Sequence, residues 1–194
     1  LNGGRIRGDG DLQVNGTIQF NDGLMDGNGM LTISPVGTLN GKSLGYFNGA
    51  PLIARSYASY GLIRVDSGTL AISGDGTLAD QTVVTSGATL NIQGGTTTLN
   101  AAAALRGEAG LGAGTLQVSS GSVVFPETGL QASLPLSLNV SPQVAGTPSL
   151  HLRGGYNAAS VLLIGGVLQV DNPAILNNLI QTGGTIQGAG DLVL

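Results

Sequence analysis

The first forty residues write one phrase twice. Gly4-Arg5-Ile6-Arg7-Gly8-Asp9-Gly10-Asp11-Leu12-Gln13-Val14 returns as Gly23-Leu24-Met25-Asp26-Gly27-Asn28-Gly29-Met30-Leu31-Thr32-Ile33. Gly4/Gly23, Ile6/Met25, Gly8/Gly27, Gly10/Gly29, Leu12/Leu31 and Val14/Ile33 all stand 19 residues apart. A fixed period near 20 residues, built of short alternating strands and glycine corners, is the signature of a solenoid.

The phrase recurs downstream. Ser67-Gly68-Thr69-Leu70-Ala71-Ile72 is matched by Ser86-Gly87-Ala88-Thr89-Leu90-Asn91-Ile92, with Leu70/Leu90 and Ile72/Ile92 offset by 20. Leu99, Leu105 and Leu111 carry the phase toward Gly114-Thr115-Leu116-Gln117-Val118, with Val123 and Phe125 as the next inward positions. Gly184-Thr185-Ile186-Gln187-Gly188-Ala189-Gly190-Asp191-Leu192-Val193 closes in the same pattern. Alternation such as Ile18-Gln19-Phe20 places apolar side chains on one face of a strand. So short a period leaves room for only two or three strands per turn. Stacking of successive turns then expects an all-β, right-handed parallel β-helix (a β-solenoid) with about nine or ten rungs of 19–21 residues. Residues 1–194 form a single domain on this reading. The Ala101–Ala104 run is too short to nucleate a helix and is expected to be a small-residue corner.

Composition agrees. There are 34 glycines in 194 residues, more than twice the usual share of about 7%. No Gly-X-Y period accompanies them, which excludes collagen. The 7 basic residues are scattered and the net charge is −4, so no basic stripe points to nucleic acid. With no cysteine, disulfides and thiolate metal sites are excluded; such a chain is compatible with export. No apolar run reaches the roughly 18–20 residues of a membrane-spanning helix. Leu1 opens without a charged and apolar leader, so an export signal is expected to have been removed or to lie outside this stretch.

Two zones break the repeat: 42–60 and 126–160. The first holds Tyr46, Phe47, Tyr57 and Tyr60, and the second Pro126, Pro135, Pro142, Pro148 and the single histidine, His151. They are expected to be irregular rungs or insertions. Neither terminus shows a capping pattern, so further rungs or end-to-end stacking of copies is expected.

The phrases Gly-Thr-Leu-x-Ile/Val, Gly-x-Gly-x-Leu-x-Ile/Val and Asn15-Gly16-Thr17-Ile18 resemble the β-strand repeats of bacterial autotransporter passengers and filamentous-haemagglutinin-like surface proteins. The likeness covers most of the chain outside the two zones. It implies secretion, a cell-surface location and an adhesive or spacer role.

Within this frame the expected function is non-enzymatic: a structural or adhesive rod. Its partners would be surface or matrix glycans, neighbouring domains of the same protein, or further copies end to end. The alternative is a carbohydrate-binding module, with Tyr46, Phe47, Arg55, Tyr57 and Tyr60 as its face, because aromatic rings stack on sugars and arginine bonds their hydroxyls. The competing reading of these aromatics is that they plug an irregular rung. A third alternative is a polysaccharide-active lyase or hydrolase using His151, Arg153 and Tyr156. Such an enzyme needs placed carboxyls, and only Glu127 and Asp171 lie near in sequence.

Arg7-Gly8-Asp9 spells an integrin-type tripeptide, yet Asp26-Gly27-Asn28 takes the same phase one repeat later, which marks a polar corner. Asp9, Asp11, Asp22, Asp26 and Asn28 supply oxygen, but they do not recur every nine residues as a calcium β-roll requires. No metal and no cofactor are expected. The Gly-x-Gly pairs lack the sixth-position glycine and following helix of a phosphate loop. Two glycosylation sequons, at Asn15 and Asn139, are read as incidental.

Overall fold

A computed structural model describes residues 1–43, 50–128, 130, 136–142, 146–154 and 156–194. The described residues form an all-β parallel solenoid without a helix. The first turns are β1 (Asn2–Arg7), β2 (Leu12–Val14) and β3 (Thr17–Phe20), then β4 (Asp22–Asp26), β5 (Leu31–Ile33) and β6 (Thr38–Lys42). Next come β7 (Leu52–Ile53), β8 (Tyr57–Ser59) and β9 (Leu62–Ser67), then β10 (Thr69–Ile72), β11 (Gly76–Leu78) and β12 (Gln81–Val84). Two longer strands bend round a corner, β13 (Thr89–Leu99) with β14 (Ala104–Arg106) after it, and β15 (Thr115–Val124). The chain continues through β16 (Ser137–Val140), β17 (Ser149–Leu152) and β18 (Asn157–Ala158). It ends in β19 (Ser160–Leu163), β20 (Val167–Val170), β21 (Ala174–Leu176), β22 (Leu179–Gln181), β23 (Thr185–Gln187) and β24 (Leu192–Val193).

Every ladder between named strands is parallel, and each strand pairs with its counterpart one turn away. On the first face β1, β4, β7, β10, β13, β15, β16, β19 and β22 stack as nine levels, which bound about eight turns. At ~4.8 Å per step the stack rises about 38 Å. The 19-residue offset of the sequence is the register itself: Ile6 faces Met25, Leu12 faces Leu31 and Val14 faces Ile33. The 20-residue offset likewise pairs Leu70 with Leu90 and Ile72 with Ile92.

Period-2 alternation converts this register into columns of buried side chains. One column on the first face runs Leu70, Leu90, Leu116, Leu138, Val161. Beside it runs Met25, Ile53, Ile72, Ile92, Val118, Val140, Leu163. All of these are essentially solvent-free and belong to one continuous core. The corners stack closely too: a Cβ at Gly27 (φ +111°) would run into the Gly8 backbone one level below, so only glycine fits that turn.

Both irregular zones are more regular than expected. β7 and β8 lie inside 42–60 and pair with both neighbouring levels. β16 and β17 lie inside 126–160 in uninterrupted register. The prolines explain this: Pro126, Pro142 and Pro148 stand between strands, where a missing N–H breaks no ladder bond. Pro148 still accepts from the Val167 amide at 2.9 Å. Residues 44–49 and Pro135 are outside the described set.

The third face differs from the other two. β3, β6, β9, β12 and β14 form one ladder, and β18, β21 and β24 another. Between them, among the described residues, stands only the bridge from Leu130 to Tyr156. Tyr156 spans that break. Its hydroxyl donates to the Leu105 carbonyl at 3.1 Å and accepts the Leu136 amide at 3.0 Å. Its ring meets Phe125 edge to face, centroids 5.0 Å apart. Leu111, expected to point inward, is instead exposed at the tip of the tight turn closed by Glu108 and Gly112. Ala101 and Ala102 form the turn expected of them, with the Ala103 amide bonded to the Asn100 carbonyl at 2.9 Å.

Candidate functional site

The expected aromatic face divides into three fates. Tyr46 and Phe47 lie outside the described residues. Arg55 and Tyr57 are 3% and 2% exposed, whereas Tyr60 is 49% exposed. The strand pairing dictates the split. Tyr57 pairs with Leu31, an inward position, so residues 57 and 59 turn in while 58 and 60 turn out. Tyr57 therefore cannot stack on a sugar, and that part of the expected site is corrected.

Inside the solenoid, Tyr57 leans up across two levels. Its hydroxyl bonds the Thr97 hydroxyl at 2.7 Å. Between them lies Gly76, where a Cβ would stand only 2.3 Å from the Tyr57 ring. Burial pushes the phenol's pKa well above its ordinary value, against the lowering effect of the Thr97 bond. Tyr57 is thus a structural member of the core.

Arg55 is a corner brace. Its Nε donates to the Gly29 carbonyl and its Nη2 to the Gly10 carbonyl, each at 2.7 Å. Both carbonyls belong to the doubled Gly-x-Gly phrase. A side chain at Gly29 would strike the guanidinium, so this corner glycine makes room for the cation. A buried charge survives only when its donors are satisfied, and here backbone oxygens satisfy two of them.

The corner aspartates are used in the same way. Asp11 accepts the Met30 amide at 2.8 Å, and Asp75 accepts the Thr96 amide at 2.7 Å. Asp9, of the Arg7-Gly8-Asp9 tripeptide, accepts the Asn28 side-chain amide at 2.8 Å. Asp26 pairs with Arg5, whose hydrogen bond is the main cause of its depressed pKa. Among the described residues no three histidine or acidic side chains gather as a metal site.

His151 is on β17, and its Nε2 meets Asp171 at 2.6 Å one level above. The Asp171 carboxyl is held below its ordinary pKa first by the Gln169 amide and then by His151. Arg153 pairs with Glu127 across the neighbouring levels. Tyr156, the third residue weighed for catalysis, is sealed in the core with its phenol pushed up to about 12 by burial. His151 and Arg153 thus both act on the Asp171 carboxyl at the surface, while Tyr156 stays sealed in the core apart from them.

What remains is a feature the sequence reading passed over. Outside the levels where Tyr57, Gly76 and Thr97 interrupt the aliphatic stack, the second face carries an open groove of about 510 Å³. Its floor is Ala58, Thr77 and Thr98, consecutive outward positions in register. Met30, Ser56, Asp75 and Thr96 lie along one edge, and Tyr60 lines the site as well. Ala58 creates the depression, because its methyl stands between the larger Thr32 and Thr77. Thr96-Thr97-Thr98 hides it in the sequence, because three identical residues do not say that the middle one is buried and its neighbours exposed; the strand pairing does.

The fold and this groove define a class, a parallel β-solenoid with one open, hydroxyl-lined flank. No protein-family model matches the chain, no curated protein is similar to it, and no solved structure matches it.

Proposed function

We propose that the chain is a non-enzymatic rod of a secreted bacterial surface protein, serving as spacer or adhesive stalk. One observation supports this most. The inward column from Met25 through Ile53, Ile72, Ile92, Val118 and Val140 to Leu163 keeps the same apolar chemistry at each level. A column like that makes length rather than a chemical centre, since each turn contacts only its neighbours. The passenger-like grammar of the strands supports a place outside the cell.

Interchangeability of turns is the test. Removing residues 160–177, which carry β19, β20 and β21, brings Leu179 to the level of Val161, its partner in the ladder. The shortened chain should fold with unchanged cross-section and lose about 4.8 Å of length in small-angle scattering. Failure to fold would count against a modular rod. Release of reducing ends or unsaturated uronates from polysaccharides by the full chain would overturn the non-enzymatic reading.

A further inference from the structure

We infer that the groove over Ala58 is a binding site for a neutral oligosaccharide lying along the solenoid axis. Four observations converge on it. Tyr60 stands half exposed at the groove, and an exposed ring offers an apolar face with a polar tip. Such a face suits the C–H surface of a pyranose. Thr77, Thr96 and Thr98 put hydroxyls on the floor and edge, and each is both donor and acceptor, as sugar hydroxyls are.

The third observation is spacing. Thr77 and Thr98 are register partners on adjacent levels, so the lining repeats at ~4.8 Å along the axis. That is close to the advance of a hexose chain per residue, and a chain running across the levels would meet similar chemistry at each step. The fourth is charge. Among the described residues Asp75 is the one charged side chain lining the groove, in a chain of net charge −4. Uronates and sulfated sugars would be repelled, and neutral hexoses would not. A peptide is the weaker occupant, because the floor strands spend their amides and carbonyls on the ladders to the levels above and below.

The experiment is a glycan array followed by titration calorimetry on the full chain, with neutral gluco-, galacto- and manno-oligosaccharides, uronate oligosaccharides and a random peptide pool. Neutral sugars should bind. Tyr60→Ala should weaken them on the order of tenfold, Tyr60→Phe should keep them within about twofold, and Thr98→Val should fall between. Tyr60 projects outward, so Tyr60→Ala should leave circular dichroism and the melting temperature unchanged, which separates loss of the site from loss of the fold. No binding to any sugar at millimolar concentration overturns the inference. So does a preference for uronates or peptides, or affinity unchanged in Tyr60→Ala. Each of those results leaves the rod reading standing, because that reading fails on turn deletion or on turnover instead.

Discussion

Two inward columns run side by side through this solenoid and are built differently. On the first face Leu70, Leu90, Leu116, Leu138 and Val161 succeed one another without a polar atom. On the second face the corresponding series is Leu31, Tyr57, Gly76, Thr97, Val123, Leu150 and Leu168. The first is a plain aliphatic stack. The second exchanges three consecutive aliphatics for one tall side chain, one absent side chain and a hydroxyl that receives it. The outer surface differs at the same levels, for the groove lies over the interrupted column. A repeat that tolerates variation inside is the one that carries a distinctive surface outside.

The sharpest way to probe the uniform column is to hollow it. Leu116 is 2% exposed between Leu90 and Leu138, and Leu116→Ala should cost about 3 kcal/mol through lost transfer energy and a residual cavity. Urea unfolding followed by circular dichroism measures it. A loss under ~1 kcal/mol would mean that the stack closes over the gap and is looser than the close packing expected of a core.

The interrupted column should fail by the opposite route. Gly76→Ala adds a methyl where the Tyr57 ring and carbonyl already stand, and overpacking of that kind costs about 2 kcal/mol. Tyr57→Leu in the same chain should recover part of the loss, because the ring is removed while the carbonyl stays. Purely additive effects in the double-mutant cycle would show that Gly76 is required by its backbone alone.

Much of this architecture was legible from residues 4 to 33, since a 19-residue offset between matched apolar positions is a register once strands stack in parallel. The site was harder to see. Through Arg55-Ser56-Tyr57-Ala58-Ser59-Tyr60 both parities carry polar or aromatic residues, so alternation does not say which face is inward, and a slip of one residue inverts every side chain. The pairing of Tyr57 with Leu31 decides it, and that contact is 26 residues distant. Arg55 was illegible for a related reason. Its partners are the carbonyls of Gly29 and Gly10, and backbone oxygens leave no mark on a sequence. The prolines of 126–160 misled because proline announces a turn without saying how much strand lies between two of them.

Tyr57 and Tyr156 give the same comparison a chemical handle. Tyr57→Phe strands the Thr97 hydroxyl and should cost about 1 kcal/mol, and adding Thr97→Val should return most of it, since neither partner is then left unpaired. Both phenols have pKa values raised by burial, Tyr156 to about 12. Such a group stabilises the fold fully below the unfolded tyrosine value of about 10, and the contribution drains away as pH rises toward the folded value. Alkaline unfolding and the tyrosinate absorbance of these two rings should therefore appear together. Ionisation of both rings in a chain still folded would show that the core admits water.

The smallest effect belongs to the outer surface. Glu108 accepts from Arg64, and that bond is the main cause of its lowered pKa, with desolvation opposing it. A depressed carboxyl contributes stability above its unfolded value near 4.5, and the contribution is lost as pH falls through the lower folded value. The melting temperature should thus decline in acid below about pH 4.5, and Glu108→Gln should flatten the part of that slope due to this pair while leaving the alkaline limb untouched. Exposed pairs are weak and screened by salt, so the difference between the two chains should shrink in 1 M sodium chloride. A difference that persists in high salt would place the Arg64–Glu108 pair in a drier setting than its partly exposed side chains imply, and the outer face would then share in holding the levels together.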